Sequence, residues 1–442
     1  MSFPPYPKYK PSGVEWLGDV PEHWDSGSVR WLSQRYSGGT PDKTKLAYWS
    51  NGTIPWLNSG AVNDRLVTTP STYITDEAFQ NSSAKWIPKG ALVMALAGQG
   101  KTKGMVAQLG IRTTCNQSMA AILPGNEITS RFLFWWLDSN YANIRNLAGG
   151  DLRDGLNLEL LGSIRCPLPP LAEQTQIAAF LDRETGKIDE LVAEQRRLIE
   201  LLKEKRQAVI SHAVTKGLNP NAPTKPSGIQ WLGNIPEHWE VVPLKVITTY
   251  NDEALDEDTD LTEELLYVDI SSVDAVHGIC NKESLTFANA PSRARRRVKN
   301  GDVIVSTVRT YLKAIATIRN AEPNLIVSTG FAVIRPRPQL ESRFLGYLLS
   351  ASFFIEEVIA RSTGVSYPAI NASELVRIKV AILTFDEQTQ IAEFLDVETA
   401  KLDALTAEAE RAIELLQERR TALISSAVTG KIDVRNVGGV AA

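Results

Sequence analysis

Cysteine, histidine and methionine are scarce, with three, four and four residues in a chain of 442. The cysteines, Cys115, Cys166 and Cys280, are odd in number, far apart and without a CxxC pair. That spacing excludes a disulfide framework and a zinc ribbon, so no metal site is expected, and it fits a reducing compartment, the cytoplasm. A secretory signal pattern is lacking, and the longest apolar runs, such as ALVMALA from Ala91, fall short of the ~20 residues that span a bilayer. No membrane partner is expected. G-x-S-x-G, H-E-x-x-H and G-x-G-x-x-G are missing as well, which removes the commonest routes to a hydrolase, a metalloprotease or a dinucleotide enzyme. Nor is there an excess of positive charge: the formal net charge is −4 and the pI about 5.8. A uniformly basic nucleic-acid coat is excluded, whereas a local basic face is not, because phosphate contacts act within a Debye length of about 8–10 Å.

What the chain does have is itself, twice. KPSGVEWLGDVPEHW, with Trp16, Pro21, His23 and Trp24, returns as KPSGIQWLGNIPEHW, with Trp231, Pro236, His238 and Trp239. EQTQIAAFLDRETGKIDELV from Glu173 returns as EQTQIAEFLDVETAKLDALT from Glu387. The copies are separated by 215 and 214 residues, so the halves are almost equal in length. Self-similarity on this scale fixes architecture before any single residue does. The segments between the blocks differ far more than the blocks, as in a protein that presents two different surfaces from one duplicated frame.

From Glu173 to Lys216 the pattern is helical, with Ile177, Leu181, Ile188, Leu191, Leu198, Leu202 and Val209 at three- and four-residue steps; only Gly186 interrupts it. Ile391, Leu395, Leu402, Leu405, Leu416 and Leu423 repeat the stripe in the second copy. Forty residues make a rod of roughly 60 Å whose apolar stripe one helix cannot bury alone. The two helices therefore pack together as a coiled coil, or each packs on its own neighbouring domain. Leu181, Ile188, Leu191, Leu202, Leu395, Leu402, Leu405 and Leu416 are the expected helix core and partner-docking positions.

The intervening segments read as mixed α/β. Short apolar runs such as DVIVSTV from Asp302 alternate with polar turns, and SRFLFWWL from Ser130 matches SRFLGYLL from Ser342. Basic residues cluster in their loops. Gln99, Lys101 and Lys103 lie in GQGKTKG, where glycines let backbone approach a partner closely. Arg293, Arg295 and Arg296 precede the DVIVSTV run, and Arg309, Tyr311 and Lys313 follow it. With Asn58, Ser59 and Arg112 these are the candidate DNA contacts, since Arg and Lys serve phosphates and guanine edges while Asn and Gln suit adenine. The alternative for the ARRR run is a solvated charge cluster.

Two tempting signals are weaker. GQGKT ends like a phosphate loop, but Ala95 stands where the pattern needs its first glycine, and the second copy has no counterpart. A nucleotide hydrolase using this loop stays as one alternative. His23 and His238, each beside a tryptophan in a repeated block, are expected to be packed structural residues, and the tryptophans to be anchors. No catalytic residue is assigned.

The repeated E-Q-x-x-I-A-x-F-L-D helix openings, the WLG-x-x-PEHW lead-ins and the SGGTPDK…YW…GTIPWLNSG stretch from Ser37 to Gly60 together resemble the specificity subunits of type I restriction-modification systems. The resemblance covers nearly the whole chain. It implies an α/β protein with two similar target-recognition domains, at residues 25–170 and 240–384, separated by two long helices at 171–216 and 385–432 in a pseudo-twofold repeat. Residues 1–24 and 217–239 would be lead-in and linker, and 433–442 a tail. It further implies double-stranded DNA as ligand, read as a split asymmetric sequence, and two methyltransferase subunits as partners, with restriction/translocase subunits where these are present. Catalysis and its cofactors, S-adenosylmethionine, ATP and Mg2+, would belong to those partners and not to this chain, which lacks an N/D-P-P-Y/F methylation motif. The second domain lacks the GGTP and IPW motifs. A coiled-coil scaffold that never touches DNA is the other alternative.

Overall fold

LVMA (Leu92–Ala95) and VIVS (Val303–Ser306) are buried throughout, the mainly apolar pattern of strands covered on both faces. They are central strands of two domains that share a topology. The structure, a computed structural model, describes residues 3–14, 16–98, 101–147, 155–274 and 277–437. The first domain contains strands β1 (Ser33–Ser37), β2 (Ile54–Leu57), β3 (Leu66–Val67), β4 (Thr72–Ile74), β5 (Leu92–Ala95), β6 (Val106–Leu109), β7 (Thr114–Cys115) and β8 (Met119–Pro124), followed by helix α1 (Ser130–Ser139). One sheet has the order β1-β8-β5-β6-β3, and a second has β7-β2-β4 with β7 parallel to β2.

The second domain contains β9 (Thr248–Tyr250), β10 (Glu264–Val268), β11 (Glu283–Thr286), β12 (Ala294–Arg297), β13 (Val303–Ser306), β14 (Ile315–Thr317), β15 (Leu325–Ser328), β16 (Phe331–Pro336) and helix α3 (Ser342–Ser350). Its sheets are ordered β9-β16-β13-β14 and β11-β10-β15-β12, with β15 parallel to β10. Strand for strand, β1-β8-β5-β6 corresponds to β9-β16-β13-β14 and the parallel pair β7-β2 to β15-β10. The second domain thus keeps the frame although it lacks the GGTP and IPW motifs. In the first domain the glycines of GGTP meet a local steric need: a Cβ on Gly38 would lie 1.9 Å from the Cys115 carbonyl oxygen, and one on Gly39 2.5 Å from the Ala84 nitrogen. In the second, Asn251 enters the left-handed region (φ 56°) just after β9.

The long helices run from Leu171–Lys216 (α2) and Phe385–Val428 (α4), 46 and 44 residues. Gly186 does not break α2; the equivalent position of α4 carries Ala400. The chain forms two compact units, Met1–Gln195 with Arg411–Ala442, and Arg196–Glu410, so each unit holds a piece of both helices. In the first unit Trp24, Phe132, Ile177 and Leu181 share a core with Ile424 and Val428. In the second, Trp239, Phe344, Ile391 and Leu395 share one with Ile210 and Val214, each the counterpart of a residue in the first list. The C-terminal turns of α4 serve the first domain as those of α2 serve the second. Cross-helix ion pairs repeat the relation: Arg420 to Asp189 at 2.9 Å in one unit and Arg206 to Asp403 at 3.1 Å in the other. Both alternatives left open by the periodicity are realised, since helix packs on helix and also on its neighbouring domain.

Candidate nucleic-acid interface

The residues that repeat most faithfully in sequence turn out to hold the frame. Glu173 is buried at the start of α2, where its carboxylate accepts hydrogen bonds from Trp24 Nε1 (3.0 Å) and the Tyr6 hydroxyl and pairs with His23 Nε2 (2.8 Å). Burial, then the Glu173 carboxylate, pushes the Tyr6 hydroxyl pKa far up. Glu387 receives Trp239 Nε1 (3.1 Å) and pairs with His238 Nε2 (2.8 Å) in the same way. Each lead-in block is therefore clasped by its own helix opening, and the histidines are structural. Gln174 and Gln388 are fully buried and tie the helix openings to the turns before α1 and α3. Asp182 accepts from Arg131 (2.8 Å) and Trp135 (2.9 Å), as Asp396 does from Arg343 (3.0 Å) and Tyr347 (2.7 Å). With the duplicated residues so engaged, variation between the domains is left to the loops.

In the first domain the β5–β6 hairpin loop carries the GQGKTKG segment; Gln99 lies outside the described residues. Lys101 is exposed at that loop. Lys103, proposed from sequence as a contact, is buried at 4% exposure, because its chain turns in against Arg145, whose guanidinium reaches the Lys103 carbonyl (3.5 Å). A phosphate loop opens a helix with its backbone N–H groups. Here residues 101–104 instead turn into β6, antiparallel to β5, so the segment lacks the geometry of a nucleotide site. Asn58 is exposed but spends its side-chain oxygen on Gly60 N (2.8 Å), capping the short turn that includes the half-buried Ser59. The Arg112 guanidinium is exposed and stacks 4.2 Å from the Trp86 ring centroid.

In the second domain the arginine run is largely consumed by the fold. Arg293 pairs with Asp269 (3.0 Å), and hydrogen bonding to Tyr267, with that carboxylate, raises its pKa. Arg295 lies 4.6 Å from the Phe287 ring and donates to the Ala294 carbonyl, and Arg296 is half-buried on β12, where burial lowers its pKa. Charge counting could not find this, because the carboxylate and ring that take up the run come from distant positions, Asp269 just after β10 and Phe287 just after β11. Arg293 nonetheless remains exposed, and Arg309, Tyr311 and Lys313 are all exposed on the β13–β14 hairpin loop, the topological counterpart of the Lys101 loop.

Sequence reasoning missed the segment packed against that loop. Residues 362–369 are stapled by reciprocal bonds between Thr363 and Ala369, each 2.9 Å, and Ile370 N binds the Thr307 carbonyl (2.9 Å). In the first domain Leu156 N binds the Leu96 carbonyl (2.8 Å) in the same place. The signal was available: both segments end in an asparagine, Asn157 and Asn371, 214 residues apart, while the residues before them diverge.

Among the described residues, one constellation has metal-ligand chemistry. Asp274, His277 and Cys280, on an exposed hairpin, offer oxygen, nitrogen and sulfur atoms within 4.8 Å of one another. Asp274 already binds the His277 ring (3.0 Å) and accepts from the Cys280 thiol (3.0 Å), and that hydrogen bond raises the thiol pKa. The proposed DNA contacts do not involve it.

On the helices, Leu181, Ile188, Leu202, Leu395 and Leu402 are buried and Leu416 half-buried. Leu191 and Leu405 are not core residues: they are 50% and 48% exposed. The buried seam passes from Ile188 to Val192 and Ile199, and from Leu402 to Ala409, so a residue three positions beyond Ile188 or Leu402 falls on the flank.

A duplicated pair of α/β domains whose frame is fixed and whose loops differ defines a class of protein, one that presents two unlike surfaces from one repeated scaffold. A family model, the Type I restriction modification DNA specificity domain, matches residues 21–201 and again 236–415. The chain belongs to that family. It is 31% identical over 166 residues to the Escherichia coli EcoR124I/EcoR124II specificity subunit, a match spanning 36% of this chain and 41% of that protein. It is 25% identical over 427 residues, 95% of each chain, to the MjaVIII specificity subunit of Methanocaldococcus jannaschii. The fold matches a chain solved in work on complex assembly and conformational transition of the type I R-M system, with a TM-score of 0.71 at 18% identity over 93% of this chain and 99% of that one. The HsdS subunit from Thermoanaerobacter tengcongensis matches at a TM-score of 0.53 and 16% identity, covering 93% and 98%.

Proposed function

We propose that this chain is the non-catalytic reader of a bipartite, asymmetric DNA target, with one half-site read by each domain. The observation that carries the reading is the strand-for-strand equivalence of two domains whose β5–β6 and β13–β14 loops share neither sequence nor charge pattern. A common frame gives both domains the same approach to a duplex, and unlike loops give unlike base contacts. Lys101 and Arg112 in the first domain, and Arg309, Tyr311 and Lys313 in the second, are exposed contacts on which this reading rests.

Partner docking is supported by apolar side chains left exposed at matching helix positions: Leu171 and Phe385, Leu191 and Leu405, Leu201 and Leu415. A duplicated apolar set suits two copies of one partner, as two methyltransferase subunits would be; restriction/translocase subunits would join around them. S-adenosylmethionine, ATP and Mg2+ serve those subunits in this reading, and the chain contributes recognition alone. The location consistent with genomic DNA as target is the cytoplasm.

The test is DNA binding by the complex assembled with its modification subunits, followed by fluorescence anisotropy across a salt series. Lys101→Ala is expected to weaken binding and reduce the steepness of log K against log salt by about 0.9, the loss of one phosphate contact. A complex that assembles in full yet binds DNA at no salt concentration would establish the scaffold alternative.

A further inference from the structure

The β13–β14 loop and the 362–369 segment pack together as one element. Thr310 is buried between them, donating through its backbone toward the Pro368 carbonyl (3.5 Å) and bonding through its hydroxyl to Ser362 (2.8 Å). On either side of Thr310–Leu312 the chain enters the left-handed region at two non-glycine residues, Arg309 (φ 51°) and Lys313 (φ 54°). Left-handed backbone costs an L-residue of this type energy that the surrounding bonds must offset, and such outliers gather at binding sites. The Arg309 guanidinium lies 5.0 Å from the Tyr367 ring centroid, so the cation is held against the second loop.

The tip of this element is apolar and bare. Val365 is fully exposed (102%), Tyr367 is 64% exposed, and Tyr311 and Leu312 lie open beside them. Neither 307–313 nor 362–369 contains an aspartate or glutamate. An apolar, aromatic tip flanked by two cations and no carboxylate is complementary to a polyanion that also presents apolar edges. A DNA groove is such a surface: phosphates line it, and the thymine methyl offers apolar contact within it.

We propose that residues 362–369 are the specificity element of the second domain: Val365 and Tyr367 contact base edges of the second half-site, while Arg309 and Lys313 clamp the flanking phosphates. This rests on the DNA-reading function above and assigns that function to a loop rather than to the ARRR strand. Backbone ties fix the loop's base and leave Val365 free of the fold, so substitution there changes recognition without changing stability, whereas loss of the Tyr367 ring also releases Arg309.

The experiment uses the chain assembled with its modification subunits in cells, with adenine methylation mapped genome-wide for the parent, Val365→Ser and Tyr367→Ala. Melting temperatures equal to the parent's establish that the variants fold. Expected is a change in preference at one or two base pairs of the second half-site, about 5- to 150-fold per lost contact, with the first half-site unchanged. Methylation of the parent's motif by both variants at parental occupancy would overturn the proposal while leaving the DNA-reading function intact. Weakened methylation with unaltered preference at every position would overturn it too, showing a loop that positions without specifying. A parent complex that methylates no motif would instead defeat the underlying reading.

Discussion

Gln174→Ala is expected to destabilise the first unit by about 3 kcal/mol, and Gln388→Ala the second by a similar amount. The Gln174 amide is fully buried and saturated. Its oxygen accepts from Thr129 N (2.8 Å), at the residue that caps α1, and its nitrogen donates to the carbonyls of Glu127 and Pro169, both 2.9 Å. Gln388 does the same for Glu341 N (2.7 Å) and the carbonyls of Gln339 (3.2 Å) and Leu383 (2.8 Å). Truncation leaves one amide and two carbonyls without partners in each case, and an unsatisfied buried group costs about 1–3 kcal/mol. For a unit of about two hundred residues, 3 kcal/mol lowers Tm by about 6–12 °C. Calorimetry of the full chain checks this: each variant is expected to shift the melting of its own unit. A drop below 2 °C would mean that water replaces the side chain and that the repeated glutamine is not the lock described here.

The second large effect is a transfer of specificity. When residues 25–170 are replaced by the corresponding domain of a relative that reads a different first half-site, the chimaera is expected to adopt that half-site fully and to keep the second. The domain meets the helices through groups that the family resemblance extends to, Gln174 and Asp182, so a foreign domain with equivalent partners can seat on them. Each mismatched base pair costs a reader about 1–3 kcal/mol, roughly additively at separated positions, so recognition of the old half-site should fall below detection. Sequencing of methylated DNA from cells carrying the chimaera reads both halves at once. Change in both half-sites would show that the domains do not read independently.

The architecture was largely legible because its signals are periodic or duplicated. The apolar stripe marked α2 and α4, the paired SRFL motifs marked α1 and α3, and the equal repeat spacing implied the twofold frame. What was lost is what depends on three-dimensional pairing. Arg293 and Asp269 are 24 residues apart and meet only because β10 and β12 flank β15 on either side in one sheet. Lys103 reads as a loop cation but is folded inward. Leu191 fits a heptad as well as Val192 does, and only the packed seam distinguishes them. Val365 and Tyr367 were overlooked because a short loop of small, apolar and aromatic residues has no charge to advertise it.

Methylation mapping tests the central claim most directly: DNA from cells carrying this chain with its modification subunits is compared with DNA from cells carrying the modification subunits alone. The account predicts one split, asymmetric adenine-methylated motif that appears only when this chain is present. A stoichiometric complex that leaves the methylation pattern unchanged would contradict it, and would leave a scaffold whose loops read nothing.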